Sequence, residues 1–254
     1  MLEGRLGSGH AACLRILLVC ASLSGGLPVL ATGDDATASA RARMVAEIKA
    51  NAAAVGKVGE RHSISTAVLD VMGRIPRHLF VPEDKQPSAY EDRPLPIGYG
   101  QTISQPYIVA LMTDLLSVDE SDVILEIGTG SGYQAAVLGP LAKHVYTIEI
   151  VPALAEAAAK RLGRLGFNNV TARQGDGYYG WREHAPFDEI IVTAAASHIP
   201  PPLIRQLAPG GRMIIPVGGP FFVQQLLLIE KHSDGTVTSR HLLPVRFVPL
   251  TGGH

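Results

Sequence analysis

The chain has 254 residues, of which 46% are hydrophobic and 18% charged, enough for one sizeable α/β domain and too apolar for a disordered protein. Its formal net charge of −1 provides no electrostatic footprint for DNA or RNA, so we expect no nucleic-acid partner. The nine histidines show neither HxH nor HxxxH spacing, and we expect no metal site.

The first 31 residues have the three parts of a secretory signal peptide. Basic residues stand at Arg5 and Arg15, an apolar run follows from Ile16, and small residues surround a cleavage position after Ala31. A membrane anchor would need about 20 uninterrupted apolar residues, whereas serines, glycines and a proline break this run. We therefore predict a signal peptide over residues 1–31 and a periplasmic or secreted mature chain without a membrane span.

Two alternatives to simple export stay open. Cys20 could be lipidated, although Val19 is bulkier than the small residue usual before a lipidated cysteine. Translation could also start at Met44, which would leave a cytoplasmic protein. Cys13 and Cys20 are the chain's two cysteines, so the predicted mature chain has no disulfide and no thiol chemistry.

The region before residue 118 shows helical periodicity interrupted by a proline-rich stretch. We expect it to contribute the N-terminal helices and a strap across the active site, as part of one domain over residues 41–254. The predicted segments are a flexible leader (32–40), helices over 41–58 and 63–72 with Ser63 or Ser65 as the cap of the second, an irregular stretch (73–100) and a helix over 107–116.

From residue 118 onward, short apolar runs alternate with helical segments. Such alternation indicates βαβ units and a doubly wound, mostly parallel sheet of Rossmann-like type. The predicted strands are "DVILEIG", "KHVYTIEI", "NVTARQGD", "FDEIIVTAAA", "RMIIPVG", "QQLLLIEK" and "TVTSRHLLPVRFVPL", and the predicted helices are "YQAAVLGPLA", residues 152–165 and "PPLIRQLAPGG".

A glycine loop, "LEIGTGSGY", joins the first of these strands to the helix that follows. Gly128, Gly130 and Gly132 allow positive φ angles and a close approach of backbone to a ligand. The dinucleotide fingerprint G-x-G-x-x-G fails here, because its last position is Tyr133. A glycine loop alone is a weak signal.

Three acidic residues near strand ends narrow the choice of ligand. Glu126 precedes the glycine loop, Glu149 ends the second strand, where an acid binds ribose hydroxyls, and Asp176 follows the third strand. Each alone would be an ordinary solvated charge. Together they suit S-adenosylmethionine, which carries an α-ammonium group, a sulfonium, a ribose and an adenine.

The chain resembles the protein-L-isoaspartate O-methyltransferases from about residue 41 to residue 250. Two stretches are specific to that family, "GYGQTISQPYIVALMT" and "GDGYYGW", while "VILEIGTGSGYQAAVL" marks the wider methyltransferase class. The stretches "IPRHLFVP", "FDEIIVTAAA", "IPPPLIRQLAPGGRMIIPVG" and "VRFVPL" add to the match. The chain departs from the family at "RHSI", where Arg-Gly-Ile is usual, and in its leader.

The resemblance implies a class I methyltransferase that uses S-adenosylmethionine to methylate the free α-carboxylate of isoaspartyl residues. The ester then closes to a succinimide, and hydrolysis returns some normal aspartate. The partners would be damaged peptides and proteins, and we expect a monomer. The resemblance assigns Ser104 to the active site. It adds Thr102, Ile103, Gly177 and Thr193 to the glycines and acids that would bind the cofactor. It assigns the substrate to Pro216, Val217, Gly218 and Gln225.

This chemistry explains why the stretch "QTISQP" carries hydroxyls but no acid–base pair. A carboxylate with a pKa near ~4 is already a nucleophile at neutral pH, so the site must supply alignment rather than a base. Taken without the resemblance, Ser104 is better explained as the cap of the helix that begins near Pro106. A methyltransferase for small molecules, or a module that binds adenosyl compounds or proteins without turnover, are the alternative functions.

Overall fold

A computed structural model describes residues 37–61, 63–219 and 222–253. The predicted signal peptide and residues 32–36 of the predicted leader lie outside these ranges. Within them, no helix combines the length and the apolar character that crossing a bilayer requires.

Three helices form the N-terminal part: α1 (Ala38–Val55), α2 (Thr66–Arg74) and α3 (Pro106–Leu116). Helix α1 begins inside the predicted leader, three residues before the predicted helix start. Ser65 is the cap of α2, since its Oγ accepts a hydrogen bond from the Val68 amide at 3.5 Å. Buried side chains of all three helices belong to one apolar cluster with the sheet.

The proline-rich stretch between α2 and α3 is more ordered than predicted. It holds two 3-10 helices, Arg77–Phe80 and Glu83–Ser88, and then an antiparallel hairpin of β1 (Leu95–Gly98) and β2 (Gln101–Ile103). Gly98, Tyr99 and Gly100 turn this hairpin with φ angles of 95°, 52° and 72°. The two glycines adopt this left-handed backbone at low cost, and Tyr99 between them adopts it as well. We call this β1–β2 hairpin the strap.

The main sheet has seven strands in the spatial order β5-β4-β3-β6-β7-β8-β9. The first five in that order run parallel, β8 pairs antiparallel with β7, and β9 pairs antiparallel with β8. The predicted doubly wound, mostly parallel sheet is therefore confirmed. The strands are β3 (Val123–Ile127), β4 (His144–Glu149), β5 (Val170–Gln174), β6 (Phe187–Val192), β7 (Leu207–Val217), β8 (Gln224–Lys231) and β9 (Val237–Val245).

Helices α4 (Tyr133–Leu138), α5 (Pro152–Arg164) and α6 (Pro201–Gln206) connect the parallel strands. The two largest errors in the predicted boundaries lie in the C-terminal half. Helix α6 ends at Gln206, and the "LAPGG" that follows belongs to β7, where a register shift separates its pairing at Leu207 from that at Arg212. Strand β9 ends at Val245, so the last predicted strand is about five residues too long.

Candidate active site

A cleft lies at the carboxyl ends of β3, β4 and β6. In a doubly wound sheet the loops at these ends are where a ligand binds. The walls combine the glycine loop, the β1–β2 strap and a C-terminal segment. Of the sequence-predicted residues, Thr102, Ile103, Ser104, Glu126, Gly128, Gly130, Glu149, Gly177 and Thr193 line this cleft.

The glycine loop has the backbone conformation that its composition predicts. Gly128, Gly130 and Gly132 have φ angles of 94°, 52° and 85°. A Cβ on Gly128 would lie 2.5 Å from the Thr193 hydroxyl oxygen, and the same hydroxyl bonds the Gly128 carbonyl at 2.7 Å. Gly132 does not line the cleft: a Cβ there would lie 3.3 Å from Leu162, so this glycine lets α4 pack closely on α5.

Glu149 is buried and fixes the loop from the end of β4. Its Oε2 accepts from the Gly130 amide at 2.7 Å, and its Oε1 accepts from the Val151 amide at 2.9 Å. Each carboxylate oxygen has a second acceptor site, so the side chain can still accept bonds from ribose hydroxyls at the cleft wall.

Glu126 is fully buried beneath the same loop. Its Oε2 accepts from the Thr147 hydroxyl at 2.6 Å, and Thr147 in turn bonds Thr129 at 2.6 Å. No group in the described part of the chain bonds its Oε1. Burial raises the pKa of Glu126 to about 8, the Thr147 bond opposes that rise, and the charge of Glu149 adds to it. Glu126 is therefore a carboxyl group whose charge depends on what binds beside it.

Asp176 lies at the edge of the site rather than in its wall. Its Oδ1 accepts from the Tyr178 amide at 3.0 Å, and its Oδ2 accepts from the Gly253 amide at 3.1 Å. Gly177 does line the cleft, and a Cβ on it would lie 2.3 Å from Ile127. Contact of Asp176 with an adenine stays a prediction.

Ser104 stands between this cleft and a second cavity. Thr102, Thr193 and Val248 also line both spaces. Among the described residues, the Ser104 hydroxyl forms no hydrogen bond. The alternative explanation of Ser104 as a helix cap was wrong: Gln105 is the N-cap of α3, and the Asp92 Oδ1 accepts from the Tyr107 amide at 2.7 Å.

Sequence reasoning missed the contribution of the C-terminal stretch. After β9 ends, the chain crosses beside β6, where the Ala195 amide donates to Val248 at 2.8 Å and the Leu250 amide donates to Ala195 at 2.7 Å. Residues 248–251 line the cleft as a result. The stretch "VRFVPL" was the available signal, but its apolar alternation favoured a longer strand.

The predicted substrate residues Pro216, Val217, Gly218 and Gln225 line neither cavity. Val217 pairs with Gln225 across the β7–β8 ladder, and the Gly218 amide donates to the Ala196 carbonyl at 2.9 Å. That amide is therefore already used by the fold. Of the nearby residues, Val223 lines the second cavity.

The comparison with known proteins decides the family. A sequence profile of the protein-L-isoaspartate(D-aspartate) O-methyltransferases (PCMT) matches residues 52–254. The chain belongs to this family. It is 59% identical over 239 residues to protein-L-isoaspartate O-methyltransferase 2 of Syntrophobacter fumaroxidans, covering 94% of this chain and 96% of that protein. It is 62% identical over 238 residues to protein-L-isoaspartate O-methyltransferase 1 of Cupriavidus necator, covering 93% and 92% of the two chains.

Solved structures agree with the fold of this PCMT family member. A protein-L-isoaspartate O-methyltransferase superposes with a TM-score of 0.73 at 29% identity, covering 84% of this chain and 66% of that one. A Plasmodium falciparum chain named for PCMT, solved with S-adenosyl-L-homocysteine, superposes with a TM-score of 0.68 at 23% identity, covering 82% and 97%. The predicted family and class I methyltransferase fold are thus confirmed.

Proposed function

We propose that this chain methylates the free α-carboxylate of L-isoaspartyl residues in damaged peptides and proteins, with S-adenosylmethionine as the methyl donor. One observation of the structure supports this function most directly. Ser104, on the family-specific stretch, lies between a cleft suited to the cofactor and a separate cavity that can take a peptide side chain. A methyl group must pass between two such spaces.

The residues of the cleft fit S-adenosylmethionine. Glu126 has an unbonded, buried Oε1 among the described residues, which suits an α-ammonium group. Glu149 retains acceptor sites for ribose hydroxyls, and Gly128 and Gly130 line the cleft without side chains. When bound, this cofactor supplies an electrophilic methyl group on a sulfonium.

The second cavity offers alignment and no base. Among the described residues that line it, Arg246 carries the one ionisable side chain, and an arginine stays protonated at neutral pH. A substrate carboxylate is already anionic there. The Ser104 hydroxyl can donate a hydrogen bond to one carboxylate oxygen and leave the other to face the cleft. Catalysis then comes from proximity and orientation.

A methyl-transfer assay tests the function. We expect the purified mature chain to transfer labelled methyl groups to an isoaspartyl peptide and not to the same peptide with normal aspartate. Labelled methanol should appear as the ester decays to the succinimide. Equal labelling of both peptides, or turnover only on small carboxylic acids, would contradict the proposal. Tight binding of S-adenosylmethionine without turnover on any acceptor would favour a non-catalytic binding module.

We also propose that the chain is exported after removal of residues 1–31. The alignment with the Syntrophobacter protein supports translation from upstream of Met44: it spans 239 residues, whereas residues 44–254 number 254 − 43 = 211. At least 239 − 211 = 28 aligned residues therefore precede Met44. N-terminal sequencing of the protein from a periplasmic extract should begin at Thr32. Protein found only in the cytosol would overturn the export proposal.

A further inference from the structure

The backbone around Ser104 lies outside regular secondary structure. Strand β2 ends at Ile103, and helix α3 begins at Pro106. Neither the hairpin ladder nor the helix therefore holds the Ser104 peptide groups in place. Since a misplacement of about 1 Å can cost a hundredfold in rate, other contacts must fix this segment if Ser104 aligns a substrate.

Arg77 makes one of those contacts from the protein interior. Its side chain is fully buried. Its Nη2 donates to the Ser104 carbonyl at 2.8 Å, and its Nε donates to the Ala89 carbonyl at 2.8 Å. The guanidinium lies 4.7 Å from the centroid of the Tyr133 ring. The planar fork of arginine allows both bonds from one rigid group.

A buried cation here is costly for the fold. Desolvation lowers the pKa of Arg77, and its Nη1 has no partner among the described residues. Apolar side chains of similar volume commonly replace buried charges without loss of stability. The arginine is therefore better explained by the geometry that it imposes on Ser104 than by its contribution to stability.

Asp92 holds the other side of the same segment. Its Oδ1 accepts from the Tyr107 amide at 2.7 Å, in the first turn of α3, and its Oδ2 accepts from the Gln105 side-chain amide at 2.8 Å. The side-chain amide of Asn51, in helix α1, also donates to Oδ2, at 2.5 Å. Two charged groups therefore flank Ser104: the buried Arg77 cation bonds its carbonyl, and the Asp92 carboxylate bonds Gln105 and Tyr107 just after it.

We infer that Arg77 and Asp92 are positioning residues, which hold the Ser104 hydroxyl at the junction of the two cavities. This inference rests on the proposed role of Ser104 in aligning the substrate carboxylate. Neither residue lines the cleft or the second cavity, so both act through Ser104 and the strap rather than by contact with the ligands.

A double-mutant cycle tests the inference with the full chain. We expect Arg77→Lys, which keeps the charge but loses the fork, to lower kcat/KM for an isoaspartyl peptide at least tenfold. The affinity for S-adenosylhomocysteine, measured by calorimetry, should stay within about twofold. In the Ser104→Ala background the same Arg77→Lys change should lower kcat/KM by less than threefold, because the hydroxyl it positions is already gone.

Arg173→Lys is the matched control. Arg173 also lies over an aromatic ring, 4.0 Å from the Trp181 centroid, and its Nη2 donates to the Gly180 carbonyl at 2.8 Å. Arg173→Lys should lower the melting temperature, because it loses these two contacts. It should leave kcat/KM unchanged, because Arg173 has no contact with the strap among the described residues. Asp92→Asn, which keeps one acceptor oxygen, provides a second test if Arg77→Lys folds poorly.

The outcomes separate the two proposals. If both positioning variants lower kcat/KM equally with and without Ser104, their effects are purely structural and the inference is wrong. If Ser104→Ala alone leaves kcat/KM unchanged, the proposed role of Ser104 fails before Arg77 is considered. A loss of cofactor affinity as large as the loss of kcat/KM would place the effect in the cleft and would also overturn the inference.

Discussion

Replacing Glu126 with Gln should change how the stability of the fold depends on pH. Burial raises the pKa of Glu126 to about 8, against an ordinary value of 4.5. Between these values the folded protein keeps a proton that the unfolded chain has lost, so the free energy of unfolding falls as pH rises. The stability that this carboxyl contributes is complete below about pH 4.5 and is lost as the pH rises through about 8. The slope is at most ~1.4 kcal/mol per pH unit.

Glutamine does not titrate, so the variant lacks this slope. We expect urea unfolding at pH 5.5, 6.5, 7.5 and 8.5 to show wild type losing up to about 1.4 kcal/mol per pH unit relative to Glu126→Gln. All other titrating groups are shared by the two proteins and cancel in the difference. Parallel stability curves would show that Glu126 is ionised in the folded protein, which would refute the reasoning from its burial.

The same variant tests whether Glu126 binds the ammonium group of the cofactor. A cation beside the carboxyl lowers its pKa, so wild-type affinity for S-adenosylhomocysteine should rise with pH, by up to tenfold per unit below about pH 8, relative to the variant. Ionisation of the ligand itself cancels in the ratio. A pH-independent ratio would contradict the role. Glu189→Gln is the control. Burial raises the pKa of Glu189 to about 9, but this residue lies at the other end of the strands, away from the cleft.

Three further substitutions test the site. Ser104→Ala should lower kcat/KM roughly 10- to 150-fold, because losing one hydrogen bond to a charged group costs about 1.5–3 kcal/mol. The melting temperature should stay unchanged, because Asp92 caps α3. A lower melting temperature would show that Ser104 does cap the helix. Gly130→Val should abolish S-adenosylhomocysteine binding in calorimetry. The φ angle of Gly130 is 52°, and the added Cβ would lie 3.3 Å from Ile97. Unchanged affinity would exclude the glycine loop as the cofactor site. Gly177→Ala should destabilise the fold by about 1–3 kcal/mol in urea unfolding, since its Cβ would lie 2.3 Å from a methyl group of Ile127; an unchanged midpoint would show that the isoleucine moves aside.

The sequence alone was sufficient for the parallel core and for most of the residues that line the cleft. Both depend on local signals: strands and helices alternate along the chain, and parallel strands place their carboxyl ends at one edge. Glu126, the glycine loop and Glu149 are each within a few residues of such an end, so their convergence followed from their positions. The strap was placed by its resemblance to a known family.

Only the tertiary structure decided which groups hold Ser104 and close the cleft. The Tyr107 amide in the first turn of α3 is capped by Asp92, which lies 15 residues earlier in the chain. The neighbouring Ser104 does not cap it. The buried Arg77 reaches the Ser104 carbonyl across 27 residues, and the C-terminal segment lines the cleft through bonds to Ala195. Propensity and periodicity report each residue's immediate neighbours along the chain, whereas hydrogen bonds between distant segments and the burial that raises the pKa of Glu126 exist only after the chain has packed.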